Sequence, residues 1–100
     1  MRLLIIACLT LATAMPAAAE TAKERAERCA AQAAIVGQAV EMRTKRKSED
    51  KVKETILETI DPRYVPSVPM LVGYVYTLHR KDLKLDVKTA FEEQCNAYKP

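Results

Sequence analysis

TAKERAERCAAQAAIVGQAVEMRTKRK, residues 21–47, decides the fold: it has no proline and a single glycine, Gly37. Ala22, Ala26, Cys29, Ala33, Val36 and Val40 recur at spacings of four and three, which places them on one face of a long helix. Because that face is mostly alanine, with Ala30 and Gly37 beside it, the helix invites a close neighbour instead of offering bulky knobs. Cys29 sits on the buried stripe and sets the question of its partner.

Working toward the N-terminus, Met1-Arg2 is a short positive start, Leu3 to Ala14 carries no charge, and Pro16 precedes Ala17-Ala18-Ala19. This reads as a cleavable signal peptide spanning 1–19, cut after Ala19, with a single mature domain over 20–100. Its apolar run of about 13 residues is short of the roughly 20 a spanning helix needs, so membrane contact after cleavage is at most peripheral. Cutting before Cys8, as in a lipoprotein, would leave almost no hydrophobic segment upstream. The expected address is the periplasm or the exterior.

Cys8 leaves with that segment, and Cys29 and Cys95 remain as the only possible intramolecular pair. Closing a loop of this length corresponds to roughly 4 kcal/mol in the chain-entropy account, comparable to the net stability of a small domain. A redox pair would ordinarily use Cys-x-x-Cys spacing, which is missing here, so a structural disulfide is the better reading. Such a staple suits a chain this short, whose core alone is marginal. Of 16 basic and 13 acidic residues only Arg2 lies before residue 20, leaving a net charge of about +2. That balance is too mild to argue for nucleic acid.

Toward the C-terminus, Ser48-Glu49-Asp50 supplies a cap and an acidic first turn, and Val52, Ile56 and Ile60 carry a second helix to Ile60. Asp61 to Pro69 contains Pro62, Pro66 and Pro69 and reads as a stiff connector, with Ser67 able to cap a third helix from about Val68 to Arg80. Val72 to Leu78 would also suit a strand, but no second strand exists to pair with it. Asp86 can cap a last helix in which Val87, Ala90, Phe91, Cys95 and Tyr98 share a face, with Leu85 stapled against Ala90. The predicted fold is all-α: a small four-helix domain, one long N-terminal helix and three shorter ones, closed by Cys29–Cys95.

No constellation for catalysis emerges. His79 is the only histidine and stands beside Arg80 and Lys81 at a helix end. Ser48 and Ser67 have capping roles, and Glu49-Asp50 and Glu92-Glu93 are adjacent pairs that diverge on a helix. The isolated Gly37 and Gly73 form no phosphate-cradling loop. Metal and cofactor are therefore not expected. The concentrated feature is Arg43, Lys45, Arg46 and Lys47, continued by Lys51 and Lys53, a candidate patch for an anionic lipid, polymer or acidic protein. The same cations also offset the end of the first helix dipole. Tyr74 and Tyr76 are candidate partner anchors, since tyrosine offers large contact area at small entropic cost.

The Cys29-Ala-Ala-Gln-Ala-Ala-Ile-Val run, Val75-Tyr76-Thr77-Leu78 and the Ala90-Phe91-Glu92-Glu93-Gln94-Cys95 tail resemble small exported helical proteins of proteobacteria with a cysteine in the first helix and a Phe-Glu-x-x-Cys ending. Such proteins are largely of unassigned function, so the resemblance implies no catalytic residues. The expected role is that of a non-catalytic periplasmic accessory or interaction protein with an envelope protein partner. Two other readings stay open: a periplasmic stress chaperone, and a binder of anionic envelope lipid or polymer through 43–53.

Overall fold

A computed structural model describes residues 20–98; the signal-peptide reading of 1–19 lies outside them. Helix α1, Ala22–Thr44, is the long element, and α2 (Glu49–Leu57), α3 (Val68–Thr77) and α4 (Val87–Ala97) follow, with 3-10 helices at Pro62–Ser67 and Arg80–Lys84. Cys29 and Cys95 are bonded, tying α1 to α4. The fold is all-helical, as expected. Among the described residues no helix is long and apolar enough to cross a membrane.

α1 begins in a capping box: the Thr21 hydroxyl accepts from the Glu24 N–H and the Glu24 carboxylate accepts from the Thr21 N–H, satisfying two donors that the first turn would leave unpaired. It ends where Arg46 N–H reaches the Arg43 carbonyl and Lys47 N–H reaches the Met42 carbonyl, the paired bonds of a Schellman ending. That ending needs a left-handed residue, usually glycine. Here it is Arg46, with φ 66°.

The core is built by Ile35, Val36 and Ala39 of α1, Val52 and Ile56 of α2, Val68, Leu71, Val72 and Val75 of α3, and Val87 of α4. Gly37 lets α4 lie close, the Lys88 stem passing 3.1 Å from where a Cβ would stand. Cys29 and Ala33 are buried as well.

Several local expectations change. Ala22 and Ala26 are exposed and Val40 half-buried, because the shorter helices cover α1 only from Cys29 onward. α2 stops at Leu57, not Ile60: Glu58 and Thr59 donate to Thr55 and Ile56 in tightened turns. The proline segment is not a bare connector but a 3-10 helix running into α3. Ser67 is therefore already helical and makes no side-chain cap, while Asp61 caps the 3-10 turn through the Arg63 N–H. α3 ends at Thr77, not Arg80, since Leu78 turns to extended backbone. In α4, Ala90 and Tyr98 are exposed and Cys95 half-buried. Leu85 is 66% exposed, so the staple onto the small Ala90 does not close.

Candidate functional site

The basic segment divides once its partners are visible. Arg43 is not a surface charge: its Nη1 donates to the Val75 carbonyl at 2.6 Å and the Leu78 carbonyl at 2.7 Å, and its guanidinium lies 5.2 Å from the centre of the Tyr76 ring. One side chain of α1 thus satisfies the Leu78 carbonyl and adds a second donor to the Val75 carbonyl, which also accepts from the Leu78 N–H. Lys45 is placed against Glu41, Lys51 against Glu54 and Lys53 against Glu49, each one helical turn apart. Arg46 and Lys47 have no acidic partner among the described residues.

The two anchor tyrosines separate in the same way. Tyr76 is half-buried beneath Arg43 and its hydroxyl donates to the Lys47 carbonyl at 2.6 Å, which ties α3 to the loop after α1. Burial raises the Tyr76 phenol, keeping it a donor at neutral pH. Tyr74 points the other way. It is 42% exposed and its ring meets Phe91 of α4 at 6.2 Å in a tilted contact.

Around Tyr74 the helices leave a groove of about 250 Å³, lined by Tyr74 of α3 and Leu78 just after it, Asp82 of the following 3-10 turn and Leu85 just beyond it, and Asp86, Val87 and Ala90 at the start of α4. Met70, one turn before Tyr74 on the same helix face, is 65% exposed. The groove therefore has apolar walls with two carboxylates at its edge. Asp86 is engaged as the cap of α4, accepting from the Thr89 N–H and hydroxyl, which hold its carboxyl below the usual range. The Asp82 carboxylate makes no ion pair among the described residues.

At the disulfide end, Glu20 receives Arg28 Nε at 2.8 Å and Nη2 at 3.0 Å, a forked contact that lowers the Glu20 carboxyl and raises the guanidinium. Arg28 Nη1 also lies 3.5 Å from Cys95 Sγ. This cluster covers the disulfide and belongs to its packing. His79 is exposed. Among the described residues no three of His, Cys, Asp and Glu gather as metal ligands would.

The groove was not legible in the sequence as a site, because Leu85 and Ala90 read as a staple; only the failure of that staple to close opens it. Comparison of the chain with family models, curated proteins and solved structures returns no match.

Proposed function

We propose that this chain is an exported, non-catalytic accessory protein that docks a protein partner on the surface around Tyr74. The observation that supports it is the pairing of two large exposed apolar side chains, Tyr74 and Leu85, at 42 and 66% exposure on one groove, with Met70 65% exposed one helical turn before Tyr74. Scattered apolar residues are ordinary on a surface, but a contiguous apolar concavity with a polar rim is the form of a recognition site. An aromatic anchor there suits a partner's pocket or ridge. The Cys29–Cys95 bond fits an oxidising compartment, and with the signal peptide expected over 1–19 it favours the periplasm.

The experiment places a photo-crosslinking amino acid in turn at Met70, Leu85 and Lys51, and analyses the adducts formed in the native compartment by mass spectrometry. One dominant protein adduct from Met70 and Leu85, absent from Lys51 of α2, which does not line the groove, and lost in Tyr74→Glu, is the expected result. The same adducts from all three positions would overturn the docking surface. Many different adducts would point instead to a chaperone.

A further inference from the structure

We propose that a second concavity, at the Arg80–Lys84 turn, binds a phosphate group. Arg80, Lys81, Leu83 and Lys84, with Thr44 at the end of α1, line a depression of about 380 Å³. A 3-10 helix has three residues per turn, so Lys81 and Lys84 stand one above the other instead of fanning apart. None of the three cations is ion-paired among the described residues, in contrast to Lys45, Lys51 and Lys53. Asp82, in the same turn, lines the Tyr74 groove instead.

Stability alone does not account for this arrangement. The carbonyls at the end of α3 are already held by Arg43, so Arg80 is not needed to cap them. Lys84 precedes the first turn of α4, where the helix dipole disfavours positive charge. Like charges stacked in one short turn repel, and an anion held between them would offset both costs. The turn is nevertheless anchored: Leu83 is half-buried against the core, so the depression is formed before any ligand arrives.

The tertiary fold also brings the basic loop after α1 to the same end of the bundle. Tyr76, at the end of α3 just before this turn, has its hydroxyl bonded to the Lys47 carbonyl. Thr44, on the wall of the depression, leads directly into Lys45, Arg46 and Lys47. The proposed anion site is centred on 80–84. Its Thr44 hydroxyl donates to the Val40 carbonyl, which leaves recognition to the three cations. Leu83 offers an apolar floor to whatever carries the phosphate.

The test uses the disulfide-bonded protein, isotope-labelled, with inorganic phosphate as one probe and mixed phosphatidylglycerol–phosphatidylcholine vesicles as the other. Amide shifts confined to Thr44 and 80–84 are expected with at least one of them. Saturation by phosphate alone identifies a soluble phosphate ligand; binding of vesicles alone identifies a lipid headgroup. At about fivefold per cation, Arg80→Gln with Lys81→Gln and Lys84→Gln lowers the affinity on the order of 100-fold. Lys51→Gln with Lys53→Gln, cations of α2 that hold carboxylates, leaves it within about twofold. No binding of either probe, or an equal loss in both variants, would overturn the proposal; circular dichroism of each variant separates lost binding from lost fold.

Discussion

Replacing Arg43 with methionine keeps most of the aliphatic stem and removes the guanidinium that spans α1 and α3. Two charge-assisted hydrogen bonds, to the Val75 and Leu78 carbonyls, are lost together with the contact over Tyr76. Such bonds are worth about 1.5–3 kcal/mol each when fully sheltered. Here water can reach the freed carbonyls of a helix end, which recovers part of that, and the cation–π contact adds about 0.5–1 kcal/mol. The net expected cost is about 2–3 kcal/mol, or roughly 10–20 °C in Tm for a domain of this size. Arg43→Lys should lie between, since an ammonium makes the charge but not the planar stack. Urea unfolding of the oxidised protein, followed by far-ultraviolet circular dichroism, gives the measurement, with Lys47→Met as the comparison. Lys47 offers only its backbone to the contact, so its substitution should cost less than about 0.5 kcal/mol. If Arg43→Met also falls below that figure, the guanidinium is a surface charge and the account of how α3 is closed is wrong.

Reducing the Cys29–Cys95 bond should lower stability by up to about 4 kcal/mol, read as a shift in the urea midpoint between oxidised and reduced protein; an unchanged midpoint would show that the ends of α1 and α4 hold together without it. Arg46→Gly should raise stability by about 1 kcal/mol, because φ 66° is disfavoured for a residue with a Cβ. Gly73→Ala should also stabilise, by about 0.5–1 kcal/mol, since the added Cβ meets only the Glu49 carboxylate at an ordinary 3.7 Å. Calorimetry of both variants checks the signs. The Glu20, Asp61 and Asp86 carboxyls are all held low, by hydrogen bonds from Arg28, Arg63 and the Thr89 N–H respectively. Groups whose folded pKa is depressed bind protons more readily when unfolded, so their contribution is present above the ordinary carboxylate range and is lost as pH falls below about 4. Thermal unfolding from pH 7 down to 2 should show that decline, and Asp86→Asn should make it shallower.

The helical character of the chain, its order of elements and its disulfide were readable because they depend on local facts: periodic apolar spacing in 21–47, capping residues at Ser48 and Asp86, proline at 62, 66 and 69, and an even pair of cysteines after residue 20. Helix ends were less readable. Where α2 and α3 stop depends on which neighbour accepts or supplies the last hydrogen bonds, and the Arg43 fork that closes α3 joins residues more than 30 positions apart. Charge counting could name Arg43, Lys45, Arg46 and Lys47 as a run but could not tell that Arg43 turns inward and Lys45 lies beside Glu41. Likewise Tyr74 and Tyr76 are two residues apart on one helix, yet one faces solvent and the other lies beneath a guanidinium. Sequence periodicity determines which elements form, and only in part the stripe each one buries: Val87 of α4 is buried while Ala90 and Tyr98 are exposed. The direction of each remaining polar or aromatic side chain is decided only when the helices meet, because it follows from what the neighbouring element presents at that point.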